Sequence, residues 1–121
     1  MSKCIIHVGM HKTGTSSIQQ SLDGYNDNTF YYAGLGSSPN HSLPIYSLFS
    51  PSPETHHLHR QSARNSSELK NYIQAARADL KRSIVASEGK TMIVSGEGIA
   101  LLRENELIKL KNHLHAHFEQ I

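Results

Sequence analysis

Cysteine occurs once in the chain, at Cys4, so no internal disulfide can form and the thiol reads as a small core residue. Long apolar runs are lacking. The longest, near residues 4–8 and 99–102, fall far short of a bilayer span. Met1-Ser2-Lys3 leads straight into the first of them without the hydrophobic segment of a secretory signal, so the expected location is the cytoplasm. Neither sign of charge dominates. Twelve Lys and Arg against ten Asp and Glu leave a net charge of +2, which excludes a nucleic-acid binder driven by a basic surface. Charge blocks and internal repeats are also missing. With 121 residues, a single domain spanning 1–121 is expected, with one modest core.

What is present is concentrated between Cys4 and Leu22, in CIIHVGMHKTGTSSIQQSL. Ile5, Ile6 and Val8 predict a parallel strand buried on both faces. Gly9 to Gly14 follows as a glycine-bounded loop. Thr15, Ser16 and Ser17 then open a helix that is expected to bury Ile18 and Leu22 and to stop at Gly24. First-turn N–H groups of a helix lack internal partners and carry the positive end of the peptide dipoles. With the Lys12 ammonium and the hydroxyls of Thr13, Thr15, Ser16 and Ser17, this segment suits a phosphate or similar tetrahedral anion. The plainer reading is a glycine turn with an incidental surface lysine.

Gly9 and Gly14 have the spacing of a Walker A loop, but Thr15 holds the lysine position and Lys12 comes two residues before Gly14. That disfavours a magnesium-dependent nucleotide kinase. HKTGTSSIQ instead resembles the 5′-phosphosulfate loop of sulfotransferases dependent on 3′-phosphoadenosine 5′-phosphosulfate (PAPS), the bacterial branch above all. The resemblance implies a three-layer α/β fold like the P-loop NTPases, with about three parallel strands, flanking helices and strands one and three adjacent. It further implies PAPS as sulfuryl donor, no metal, and a hydroxyl acceptor on a small molecule or glycan. His11, Lys12, Thr13, Gly14, Thr15, Ser16 and Ser17 would hold the donor.

Phe30 to Ala33 is a candidate second strand after the turn-forming DGYNDNT segment. Gly34 to Pro53, rich in glycine, serine and proline, shows no sustained period and reads as a long loop. Its counterpart in the resembling family covers the acceptor. His41 in PNHSL is therefore an acceptor-side candidate, beside the alternative of an exposed loop histidine. His56, His57 and His59 lack a carboxylate or cysteine at zinc-site spacing and read as a solvated stretch. Asn65 to Ser87 is the clearest helix, with Leu69, Tyr72, Ile73, Ala76, Leu80 and Ile84 on one stripe and Asn65 and Glu68 placed to cap it. Lys70, Arg77, Lys81 and Arg82 fall on its polar side.

Thr91 to Ser95 predicts another buried strand, followed at once by Gly96-Glu97-Gly98. Ligands of open parallel sheets gather at such carboxyl ends. Glu97 is thus a candidate catalytic base, or else a helix cap, and the resembling proteins carry a similar S-[SG]-E here. Ile99 to Ile121 reads as mostly helical, with Leu107, Leu110, Leu114, Phe118 and Ile121 on one stripe. His113 and His117 stack at i and i+4 without a third metal ligand.

By the resemblance, Lys12 would offset charge on the leaving 5′-phosphate and Glu97 would deprotonate the acceptor. The arginine and serine that clamp the donor's 3′-phosphate in that family are expected past Ile121, after a fourth strand. The chain then matches only the first half of a sulfotransferase domain, and little turnover is expected of it alone. The competing expectation is a non-catalytic binding domain that self-associates through an open sheet edge.

Overall fold

The computed structural model describes residues 3–8, 15–53, 56, 59 and 65–121. Three parallel strands, β1 (Lys3–His7), β2 (Phe30–Tyr32) and β3 (Thr91–Ser95), form an open sheet in the order β1-β3-β2. Cys4 lies beside Met92, Ile6 beside Val94, and His7 beside Ser95; on the other side Tyr31 faces Met92. The adjacency of the first and third strands is as expected, and the fold is α/β with helices flanking the sheet.

Alternation along the strands sorts the side chains. Cys4, Met92 and Val94 point into the core, where they meet Leu80, Leu110, Leu114 and Phe118. Full burial of each large side chain contributes about 1.5–3 kcal/mol. The core is built by α3 (Ser66–Ala86) and α4 (Glu104–His115), with Ile45 from α2 (Ser42–Phe49). Asn65 caps α3 as expected, its side chain accepting the Glu68 N–H at 2.8 Å. At the start of α4 the Glu106 carboxylate accepts the Arg103 N–H at 3.0 Å.

The opposite sheet face is less covered. Ile5 is 46% exposed, so β1 is not buried on both faces as its composition suggested. Helix α1 (Thr15–Leu22) stops before Gly24, whose φ of 75° only glycine adopts without strain. Its buried residue is Gln19, whereas Ile18 is 46% exposed. Helical spacing alone could not select between these neighbouring positions, and a polar partner on β3 draws Gln19 inward.

Three further expectations are corrected. The stretch from Gly34 to Pro53 contains α2, whose Pro44 sits in the first turn, where no backbone donor is lost. SLPIYSLF buries Ser42, Pro44, Ile45 and Ser47, so no amphipathic period shows. Ile99 to Ile121 is broken: a 3₁₀ turn occupies Glu97–Leu101 before α4 begins, and Leu107 and Ile121 stay partly exposed. Finally, His56 and His59 are buried rather than solvated. His59 Nε2 lies 2.7 Å from Ser47 Oγ, and its ring stands edge-on to Tyr72.

The sheet edges are partly occupied. Cys4 N–H donates to the Gln120 carbonyl at 2.9 Å, and Gln120 bridges Lys3 in the parallel sense. On the other edge, Asn26 forms an antiparallel bridge with Tyr31.

Candidate functional site

Strands β1 and β3 finish side by side, so the segments that follow them leave from one edge of the sheet. His7 and Ser95 close the two strands on the same face. The Ser95 hydroxyl, fully buried, sits 2.8 Å from His7 Nδ1 and accepts Gln19 Nε2–H at 3.1 Å. It also faces the Tyr32 hydroxyl, which itself donates to the Pro39 carbonyl. Burial pushes the Tyr32 phenol up to about 12, so it remains a proton donor at neutral pH.

The chain from Pro39 to Ser42 wraps over this edge. His41 is fully buried, not an exposed loop residue, and stacks on Tyr32 with ring centroids 4.7 Å apart. Its Nδ1 accepts the Ser95 backbone N–H at 3.1 Å, while its own backbone N–H donates to the Ser95 carbonyl at 2.8 Å. Nδ1 acts as acceptor, so the ring proton of the neutral form is on Nε2, which is buried and, among the described residues, meets no partner at full hydrogen-bond geometry, the Ala33 carbonyl included. Burial lowers the His41 pKa to about 4, outweighing the opposing pull of the Ala33 carbonyl and the Asp23 carboxylate.

Gly96 and Gly98 are small because the start of α2 packs against them. A Cβ on Gly96 would lie 2.5 Å from the Ser42 backbone nitrogen, and one on Gly98 2.7 Å from Ser42 Cβ. The group that approaches them is the protein's own α2. Ser42 Oγ completes the contact by accepting the Gly98 N–H at 2.8 Å. Glu97, between the two glycines, is partly exposed at the first position of the 3₁₀ turn. A cleft of about 430 Å³ opens on the outer side of this seam, lined in part by Ser38, Asn40, Ser42 and Tyr72.

His11, Lys12, Thr13 and Gly14 lie outside the described residues, as do the side chains of Thr15 and Ser16. Ser17 is exposed on the first turn of α1. Glu97 and the start of α1 are thus on segments attached to one sheet edge, whereas His41 is sealed beneath the same edge. His7, Tyr32 and Ser95 were not singled out by sequence reasoning, and Gln19 figured only as the last residue of the HKTGTSSIQ motif. Their one legible signal was a polar residue ending each of two apolar strands.

Among the described residues no group of three or more histidine, cysteine, aspartate or glutamate side chains is arranged to hold a metal ion. No helix among them is long and apolar enough to cross a membrane. The chain matches no protein-family model, no curated protein and no solved structure.

Proposed function

We propose that this sheet edge binds the 5′-phosphosulfate of PAPS and that the protein is a domain of sulfotransferase type, with a hydroxyl of a small molecule or glycan as acceptor. The observation that carries the reading is the string His11-Lys12-Thr13-Gly14-Thr15-Ser16-Ser17 between β1 and α1, on a sheet whose central strand delivers Glu97 to the same edge. Lys12 offsets the negative charge that grows on the donor's 5′-phosphate as its bond to sulfur breaks. Backbone N–H groups at the start of α1 hold that phosphate. Glu97 takes the proton of the acceptor hydroxyl as its oxygen bonds to sulfur. The parallel bridge between Lys3 and Gln120 occupies the outer side of β1, where a fourth strand would begin.

A thermal melt with 3′-phosphoadenosine 5′-phosphate, against 5′-AMP and Mg-ATP, tests the reading. Ligand that binds only the folded state raises its stability with the logarithm of concentration. Stabilisation by the bisphosphate and 5′-AMP alike, lost in Lys12→Ala, is the result expected of a 5′ loop without its 3′-phosphate clamp; a selective response to the bisphosphate would reveal a 3′-phosphate contact within this chain. A preference for Mg-ATP, or no response to any nucleotide, refutes it.

A second reading, a non-catalytic self-associating domain, draws on the half-exposed Ile5, Ile18 and Phe30. Sedimentation equilibrium distinguishes it, through a mass at or above that of a dimer.

A further inference from the structure

Two features that the sequence kept apart, the basic side of α3 and the histidines at the end of α4 and in the turn after it, meet in one groove. Arg77 and Lys81 stand on its α3 side, with His113 and His117 opposite and Ile84 and Val85 as the floor. The groove encloses about 320 Å³, at the small end of ligand pockets. Its floor is wet: Val85, in the last turn of α3, is 65% exposed.

The fixed charges, on Arg77 and Lys81, are both positive. His113 and His117 have ring centroids 6.0 Å apart, and Phe49 of α2 meets the His113 ring edge-on. Burial, then the His117 and Arg77 charges, hold His113 below the usual imidazole range. Among the described residues no carboxylate lines the groove. The nearest acid in an adjoining depression is Glu88, which shares that depression with His117. The Asp79–Arg82 ion pair, at 2.9 Å, does not line the groove. Clustered cations without a counter-ion raise the free energy of the empty groove, and exposed aliphatic surface adds to it. An anion with an apolar body relieves both.

We infer that the groove between α3 and α4 is a binding site for a small carboxylic acid with an apolar tail, its carboxylate on Arg77, Lys81 and the imidazoles and its tail along Ile84 and Val85. The assignment is independent of the donor-site reading. Carboxylate binding favours the protonated form of His113, which burial otherwise disfavours, so affinity rises as pH falls.

The test is an amide-shift titration of the full chain by NMR with decanoate. Decyltrimethylammonium supplies the same tail with the opposite charge, and acetate the head group alone. Decanoate is expected to give saturable shifts around Val85 and His117 at pH 6, with weaker binding at pH 8. The cationic tail should give none there, and acetate much weaker ones. The double variant Arg77→Glu, Lys81→Glu should raise Kd by at least about tenfold, since charged hydrogen bonds contribute more than one such factor. Val85→Asp, a surface change on the floor, should weaken decanoate similarly. Unchanged amide dispersion outside the groove verifies that both variants fold. Equal binding of the two tails, insensitivity to charge reversal, or shifts confined to the start of α1 and abolished by Lys12→Ala would each overturn the assignment.

Discussion

His41 and Ser95 hold each other twice, the imidazole Nδ1 accepting the Ser95 N–H and the His41 N–H donating to the Ser95 carbonyl. The histidine side chain thus does for the end of β3 what a neighbouring strand would do. It replaces one ladder hydrogen bond and ties the Pro39–Ser42 segment to the sheet. Replacing His41 with Ala leaves a buried N–H unpaired and a cavity against Tyr32. A loss of about 2–4 kcal/mol is expected in urea unfolding. An unchanged midpoint would show that the clamp contributes nothing.

The same residue sets a pH dependence. In the unfolded chain His41 titrates near 6.5, in the native protein at about 4. Below 6.5 the unfolded state binds the proton first, so stability falls as pH drops from there toward 4 and is fully present above 6.5. The span corresponds to about 3 kcal/mol. His113 shifts in the same direction. Urea midpoints measured between pH 7.5 and 4 should decline, and the decline should shrink in His41→Gln.

Gly96→Ala is expected to destabilise by about 2 kcal/mol or more, because the added methyl meets backbone rather than a side chain that could turn away. Gly24→Ala has open space around it and strains only its positive φ, at about 1 kcal/mol. Denaturation of the two variants side by side separates a steric seam from a turn preference.

Cys4 is 2% exposed, and burial raises its thiol to about 12, so almost no thiolate is available at neutral pH. Labelling by a disulfide reagent should proceed no faster than the opening that exposes β1. Its rate should track unfolding as urea is added; rapid labelling without urea would contradict the burial.

The strands and α3 were legible because their patterns are local: apolar runs of the right length, and a stripe repeating at three and four residues with Asn65 at its head. Histidines were not. Whether His41, His56 or His59 is wet depends on Tyr32, Tyr46 and Tyr72, each on another element of the fold, and a histidine in a polar segment carries no mark of them. Helix α2 escaped because apolar and small residues surround it, as suits a helix wedged between α3 and the 3₁₀ turn. The side chain of Gln19 shows the converse: its burial answers one hydroxyl on β3. Of the candidate site, the shared edge of β1 and β3 was legible, whereas the His7–Ser95–Gln19 node emerged only from the register.

Strand order has a bearing on how the chain is made. β3 lies between β1 and β2, yet it is synthesised last of the three, and β1 and β2 do not touch. Until Thr91–Ser95 has left the ribosome, neither earlier strand has a ladder to join. Up to that point the nascent chain has local helix and turn but no parallel ladder. Its apolar strands must wait until the central one arrives, and the domain then closes in a single late step.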